Sequence, residues 1–215
     1  MRDERADAAD DIAARIARQT LAARGADYVD EVRRLLDAGL TVMDRCGTDS
    51  RPRVADIVAE AGLSNDAFYR HFPSKDALVT AILEDGTARL GRYLGHRMAK
   101  ADDPEGQVRA WVDGILAQAD PAIAATTRAV LWNGSGASGQ AAGRHPANQT
   151  LAALLVGPFA ALGSPDPEGQ ARLAAHAALG RLADLLWEKA APTRGEEDAL
   201  VTFLLAAVRP AADGD

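Results

Sequence analysis

The sequence predicts an all-α protein, with an N-terminal three-helix domain followed by a larger helical domain. Along almost every segment, apolar residues recur at the spacing of one helix face. No segment alternates apolar and polar residues with the period of two that a half-buried strand shows. Glycine, proline, serine and aspartate stand between the apolar stretches, where such residues begin and end helices. Together these three observations predict an all-α fold.

The first core helix is predicted from Tyr28 to Cys46, and residues 1–26 before it are predicted to form a partly helical arm outside the core. The apolar stripe of this helix consists of Val29, Val32, Leu36, Leu40 and Met43. Gly47 is the expected C-cap, because glycine tolerates the left-handed backbone that ends many helices. Cys46 is interpreted as a small buried residue, and a lone cysteine forms no disulfide within the chain.

Two short helices are predicted next, joined by the turn Ala61-Gly62-Leu63-Ser64. The second helix runs from about Asn65 to His71, and Ser64 caps it by accepting from its free backbone amides. Ala67 and Phe68 are expected to be buried, and the opposite face presents polar side chains: Asn65, Asp66, Tyr69 and Arg70. Two helices joined by such a turn have the geometry of a helix-turn-helix, whose second helix fits the major groove of DNA.

A long helix is predicted from Pro73-Ser74 to about Ala99, with Ser74 as its cap. Gly86 lies on the apolar stripe of this helix and permits either bending or close packing, of which we expect close packing. Asp102-Asp103-Pro104 marks a boundary, after which the composition shifts to alanine and leucine. The helices predicted beyond it are Gln107 to Ala119, one opened by Pro121, Asn148 to Leu162, Pro167 to Lys189, and Arg194 to Val208. Residues 133–146 are predicted to be a loop, because the G-x-G-x-x-G pattern inside them follows no strand.

The stretch from Asp27 to Ile82 resembles the DNA-binding domain of the TetR family of bacterial transcriptional regulators. Three segments carry the resemblance nearly position by position: Leu63-Ser64, Phe68-Tyr69-Arg70-His71-Phe72 and Ser74-Lys75-Asp76-Ala77-Leu78. The resemblance implies three regions: an arm over 1–26, a helix-turn-helix domain over 27–86, and an effector-binding and dimerisation domain over 87–215.

The resemblance also implies a set of DNA-binding residues: Arg53, Ser64, Asn65, Asp66, Tyr69, Arg70, His71 and Lys75. In the family, the positions of Tyr69, His71 and Lys75 mostly contact phosphates, and those of Ser64, Asn65 and Asp66 lie near bases. Asp66 departs from the pattern, because the family usually has glycine or another small residue there. Its carboxylate either accepts from a cytosine amino group or caps the helix start, and we expect the cap.

Charge is distributed unevenly along the chain. Of the net charge of −7, residues 1–100 contribute −1 and residues 101–215 contribute −6. Most of the acidic charge therefore lies away from the predicted DNA surface, and we expect nonspecific DNA affinity to be modest and sensitive to salt. The arm is either a weakly docked solvated helix or a segment that reaches the DNA backbone or minor groove with Arg15, Arg18 and Arg24.

For function, the resemblance implies a repressor that binds a near-palindromic operator as a homodimer through the last two helices, about 167–209. It also implies release by a small effector, for which the aromatic and polar residues of the middle helices predict a mostly apolar ligand. The candidate pocket residues are Trp111, Thr127, Trp132, Phe159 and His176. The alternative is a dimeric DNA-binding regulator that has no small-molecule effector and answers to a protein partner or to nothing.

Other classes of function are not expected. The four histidines lie far apart without metal-ligand spacing, and no clustered acid, base or nucleophile indicates an enzyme, so neither a metal nor a cofactor is predicted. No run of about 18 apolar residues occurs, which argues against a membrane helix. The N-terminus is charged and lacks an apolar signal core, so we expect a cytoplasmic protein.

Overall fold

A computed structural model describes residues 3–134 and 146–208, and the side chains of residues 25–133 and 148–208. Within these residues it confirms the all-α prediction, with nine α-helices and no strand. The helices are α1 Asp3–Cys46, α2 Val54–Ala61, α3 Asn65–His71, α4 Lys75–Met98, α5 Pro104–Leu116, α6 Pro121–Gly134, α7 Pro146–Ala161, α8 Pro167–Glu188 and α9 Arg194–Val208. Most of the predicted loop at 133–146, and the arginine side chains of the arm, lie outside the described residues.

Helix α1 is continuous from Asp3 to Cys46, so the predicted arm and the first core helix form one element. The helix ends as predicted at Gly47, whose φ is +56° and whose N–H donates to the carbonyl oxygen of Met43 at 2.9 Å. Its core side is set by fully or almost fully buried side chains: Leu35, Ala38, Val42 and Met43. Cys46 is half-buried rather than buried, because it lies at the end of the helix.

The turn between α2 and α3 has the predicted local chemistry. Gly62 adopts the left-handed backbone at φ +63°, which ends α2 without the strain of a β-carbon. The hydroxyl of Ser64 accepts a hydrogen bond from the backbone N–H of Ala67 at 3.1 Å, which confirms Ser64 as the N-cap of α3. Ala67 and Phe68 are buried against the first core as predicted, and Asn65, Asp66, Tyr69 and Arg70 of this seven-residue helix are exposed.

Helix α4 joins two separate hydrophobic cores. Its first half contributes Leu78, Val79 and Ile82 to the core formed with α1, α2 and α3. Its second half contributes Leu94 and Met98 to the core formed by α5, α7, α8 and α9. One helix therefore contributes side chains to both cores.

The close packing expected at Gly86 is wrong. Gly86 is exposed, and no described heavy atom lies within 4 Å of the position that a β-carbon would occupy. Gly114 in α5 is the glycine that permits close contact, because a β-carbon there would lie 2.4 Å from Cδ2 of Leu94. Helices α4 and α5 therefore approach each other at Gly114.

The second core is filled by large side chains, of which Trp111, Ile115, Leu155 and Phe159 are fully buried. Helix α8 adds mainly small residues to it: Ala171, Ala174, Ala175 and Ala178. None of the described helices combines the length and the apolar character that crossing a membrane requires.

Candidate nucleic-acid interface

The outer face of α3 carries four exposed side chains: Asn65, Asp66, Tyr69 and Arg70. Tyr69 is 57 % exposed although it is a large aromatic residue, and its ring packs edge-on against the buried ring of Phe68 at 5.2 Å. Phe68 thus anchors the helix while Tyr69 stands beside it in solvent. An exposed amide, carboxylate, phenol and guanidinium on one short helix supply the donors and acceptors that read base edges and phosphates.

The expectation that Asp66 caps α3 is wrong. The cap is Ser64, and Asp66 lies inside the first turn, where its carboxylate favours the positive end of the helix dipole. No hydrogen bond ties Asp66 to another described side chain, and the residue is exposed. The carboxylate is therefore available on the recognition face, where a cytosine amino group is the donor that suits it.

Arg53 and Lys75 flank the helix-turn-helix on either side. Arg53 precedes α2, and its guanidinium contacts both carboxylate oxygens of Asp56 at 2.9 and 3.0 Å. This hydrogen-bonded pair lowers the pKa of Asp56 and raises that of Arg53. Lys75 is the first residue of α4, which begins with Ser74 accepting from the N–H of Ala77 at 3.1 Å. Arg53 thus stands at the N-terminal end of α2 and Lys75 at that of α4, so the two cations flank the helix-turn-helix along the chain.

His71 has a different environment from the other predicted contacts. Its side chain is 0 % exposed, and its Nε2 lies 2.6 Å from the carboxylate of Glu31 in α1. The ring of Tyr28 covers the imidazole edge-on at 4.2 Å. In this conformer the imidazole is therefore turned toward α1, and it does not present itself to a phosphate.

Two residues of α1 that the sequence analysis did not single out support the interface. Glu31 accepts hydrogen bonds from His71 and from Arg70, the latter at 3.2 Å. Arg34 donates to the carbonyl oxygen of Ala61 from Nε at 3.1 Å and from Nη2 at 2.5 Å, and so satisfies the C-terminal end of α2. Each contact joins residues 27 to 40 positions apart, so no local spacing signals it.

The five candidate pocket residues are divided between the core and the surface. Trp111 and Phe159 are fully buried in the second core, and the indole N–H of Trp111 donates to the carbonyl oxygen of Leu151 at 3.0 Å. Thr127 is half-buried on α6. Trp132 is 39 % exposed and packs edge-on against Trp187 at 5.9 Å.

His176 is exposed on α8, where its Nδ1 lies 2.6 Å from the carbonyl oxygen of Arg172 one turn earlier. Two open grooves among the described residues lie at the N-terminal domain, and neither is lined by any of the five candidates. One, of about 260 Å³, lies beside Arg34 and Glu60, and the other, of about 320 Å³, lies beside Tyr28 and Arg70. Within the same residues, no three His, Cys, Asp or Glu side chains come together as metal ligands would.

This fold, with an exposed polar recognition helix after a capped turn, defines a helix-turn-helix DNA-binding protein. Residues 35–82 match the family model for bacterial regulatory proteins of the tetR family. Over 187 residues the chain is 29 % identical to an uncharacterized HTH-type transcriptional regulator of Mycobacterium tuberculosis (strain H37Rv), covering 83 % of this chain and 86 % of the relative.

Solved structures agree on the fold. A TetR-family transcriptional regulator from Pectobacterium atrosepticum superposes with a TM-score of 0.57 at 23 % identity, covering 85 % of this chain and 92 % of that one. The transcriptional regulator FadR from Bacillus subtilis, solved in complex with stearoyl-CoA, superposes with a TM-score of 0.53 at 12 % identity, covering 81 % and 98 %. Residues 35–82 therefore match the DNA-binding domain of the tetR family, and the chain as a whole is similar to HTH-type and TetR-family transcriptional regulators.

Proposed function

We propose that this regulator is a cytoplasmic repressor, without enzymatic activity, that binds a near-palindromic operator in double-stranded DNA as a homodimer. The observation that carries the proposal is the exposed face of α3, where Asn65, Asp66, Tyr69 and Arg70 stand clear of the core. Two such helices about 34–36 Å apart would enter successive major grooves on one side of the DNA. Base contacts from Asn65 and Asp66 would supply specificity, and Tyr69 and Lys75 would hold phosphates.

The proposed dimer forms through α8 and α9. Three large apolar side chains on these helices stand in solvent: Leu173 at 71 % exposure, Trp187 at 50 % and Phe203 at 62 %. Small residues on the same surface, such as Gly180 and Ala206, allow a second pair of helices to approach closely. A two-fold axis through this surface would cover the apolar side chains of both copies.

The proposed effector is a small, mostly apolar molecule that binds among α5, α6, α7 and α8. The walls we propose for its site are the five candidates of the sequence analysis: Trp111, Thr127, Trp132, Phe159 and His176. FadR, which has a similar fold, was solved in complex with stearoyl-CoA, whose long acyl chain is apolar although its coenzyme A part is charged; this supports an effector that carries an apolar group. Trp111 and Phe159 now fill the core, so the ligand would bind a conformer in which these side chains have moved, and would favour that conformer.

A second candidate function is a dimeric regulator without a small-molecule effector. The filled core favours it, because a ligand pocket is usually a largely pre-formed cleft of several hundred Å³. In this case the second domain would serve dimerisation or answer to a protein partner.

The DNA-binding proposal is tested by selecting bound fragments from random duplex DNA, followed by titration of the enriched sequence at about 150 mM salt. We expect a near-palindrome that binds at least ~10³-fold more tightly than random DNA. Failure to enrich any sequence, together with binding that disappears as salt rises, would exclude a sequence-specific regulator.

The effector proposal is tested by the change in unfolding temperature with stearoyl-CoA and with a panel of small aromatic and aliphatic compounds. A compound that binds should raise the unfolding temperature and lower operator affinity by about 5- to 150-fold. Tight binding that leaves operator affinity unchanged would contradict release by a ligand. If no compound binds, the second candidate function is favoured.

A further inference from the structure

The C-terminal end of α3 is held to α1 by one carboxylate. Oε2 of Glu31 lies 2.6 Å from Nε2 of His71 and 3.2 Å from Nη1 of Arg70, so it contacts the last two residues of the recognition helix. His71 donates to this carboxylate, and its hydrogen bond is the main reason that the pKa of Glu31 lies below its usual value, with Arg70 adding a smaller electrostatic effect. The carboxylate is therefore ionised at neutral pH.

The contact to His71 is sheltered, whereas the contact to Arg70 is open. The His71 side chain is 0 % exposed beneath Tyr28, and its Nδ1 finds no hydrogen-bond partner among the described residues. The Arg70 guanidinium is 56 % exposed and borders the groove of about 320 Å³ with Tyr28 and Glu31. A phosphate can reach Arg70 from this groove, but only in competition with Glu31.

A helix of seven residues has few other constraints on its orientation. The N-terminal end of α3 is fixed by the capped turn at Ser64, and its inner face by Phe68. The C-terminal end is fixed by Glu31, which contacts Arg70 and His71. These residues follow Asp66, the last residue proposed to contact a base, by about one helical turn. A small tilt at this end would displace Tyr69 and Arg70 relative to the major groove of the DNA, which α3 is proposed to enter.

We propose that Glu31 is a specificity-determining positioning residue, which holds the end of α3 through His71 and keeps the charge of Arg70 from binding phosphates without regard to sequence. This inference rests on the proposed binding of operator DNA. Two effects follow from one residue: the recognition helix is oriented, and nonspecific affinity is kept low because one cation is already paired.

The test compares Glu31→Gln with Asp30→Asn in the full chain. Asp30 is the exposed neighbour of Glu31 on α1, and among the described residues no hydrogen bond or ion pair joins it to α3, so its substitution removes the same charge without the same interaction. Binding to the enriched operator and to random duplex DNA is titrated from about 50 to 300 mM salt. Glu31→Gln should raise random-DNA affinity about 5-fold at 150 mM salt and steepen its salt dependence by roughly one phosphate contact. Operator affinity should rise less, so the ratio of operator to random affinity falls.

Asp30→Asn should change both affinities by the same factor and leave their ratio unchanged. In an Arg70→Gln background, Glu31→Gln should no longer steepen the salt dependence for random DNA, because the cation that it frees is absent. The proposal would be overturned if Glu31→Gln and Asp30→Asn had the same ratio of operator affinity to random-DNA affinity. An unchanged effect of Glu31→Gln in the Arg70→Gln background would also overturn it.

Hydrogen exchange in free protein gives a second measurement that does not need an operator. The N–H of Phe72 donates to the carbonyl oxygen of Phe68 at 2.8 Å at the end of α3, and it should exchange faster in Glu31→Ala but not in Asp30→Asn. Equal exchange in both variants would overturn the positioning role. Failure of the wild-type protein to distinguish operator from random DNA would instead overturn the proposed function, and the exchange experiment keeps the two results apart.

Discussion

The hydroxyl of Thr126 in α6 donates a hydrogen bond to Oδ1 of Asp44 in α1, so the two domains contact each other directly as well as through α4. Val130, one turn further along α6, packs against the N-terminal core on the same side. Helix α6 is therefore placed to transmit a change in the second domain to α1. A chain with α4 alone between its cores would lack this second connection.

Substitution of Thr126 by valine should weaken this connection. Thr126→Val removes the donor but keeps the shape of the side chain, and we expect a loss of about 0.5–1.5 kcal/mol in the free energy of unfolding. Urea unfolding measures this loss in the free energy of unfolding. Thr127→Val is the matched control, because Thr127 is half-buried and its side chain makes no hydrogen bond within the described part of the chain. Equal losses in the two variants would show that the contact to Asp44 contributes nothing.

Substitutions at Asn65 and Lys75 should distinguish a residue that contacts a base from one that contacts a phosphate. Asn65→Ala should cost about 1–3 kcal/mol on the operator and relax the preference at one base pair, because it removes an amide that can pair with a base edge. Lys75→Gln should weaken binding to all sequences and reduce the salt dependence by about one contact. Titration of each variant on operator, single-base operator variants and random DNA measures both effects. The proposed roles would be wrong if Lys75→Gln altered base preference and Asn65→Ala did not.

Local chemistry made much of the fold predictable from the sequence. The caps at Gly47, Gly62, Ser64 and Ser74 depend on backbone conformation and on donors three residues away, so neighbouring residues are enough to identify them. The burial of Phe68 follows in the same way from helical spacing.

Contacts between distant residues were not predictable in this way. The pairing of Glu31 with His71 spans 40 positions, and nothing near His71 indicates that its imidazole turns toward α1. The same limit applies to the pocket candidates, because helical spacing places Trp111 and Phe159 on an apolar face without telling a filled core from a cavity. Gly86 shows that the opposite error also occurs. It lies on the predicted apolar stripe, yet no described heavy atom lies within 4 Å of the position that its β-carbon would occupy.

The proposed dimer surface can be disrupted by one charge. Phe203 is 62 % exposed on α9, and Phe203→Asp would place a carboxylate where two apolar surfaces are proposed to meet. We expect dissociation to be favoured by about 2 kcal/mol or more, seen by sedimentation, with a parallel loss of operator affinity. Ile123→Asp on α6, where Ile123 is 41 % exposed, is the control and should remain dimeric. A dimeric Phe203→Asp variant would exclude this part of α9 from the interface.

Two glycine-to-alanine substitutions should change stability in opposite directions. Gly86→Ala should raise the free energy of unfolding by about 0.5–1 kcal/mol, because alanine favours the helix and the added methyl group meets no neighbour. Gly114→Ala should lower it by about 1–3 kcal/mol, because the methyl group would overlap the fully buried Leu94. Urea unfolding of both variants is the measurement. A loss of stability in Gly86→Ala would show a constraint at that position other than packing.

The start of α9 should make stability depend on pH. Glu196 accepts from the backbone N–H and the hydroxyl of Thr193, both at 2.8 Å, and from Arg181 at 2.5 Å. The Thr193 hydrogen bonds first, and then that of Arg181, lower the pKa of Glu196 from 4.5 to about 2. Since the folded-state pKa is depressed, the stabilisation is complete above about pH 4.5 and is lost as pH falls toward 2.

Glu196→Gln should therefore be less stable than the wild-type protein at pH 7, and this difference should shrink between pH 4.5 and pH 3 in urea unfolding experiments. Glu197→Gln is the matched control, because burial and the nearby Asp113 raise the pKa of Glu197. Its ionised form is disfavoured in the folded state, so Glu197→Gln should gain stability at neutral pH rather than lose it. A Glu196→Gln deficit that stays constant from pH 7 to pH 3 would show that the charge of Glu196 does not stabilise α9.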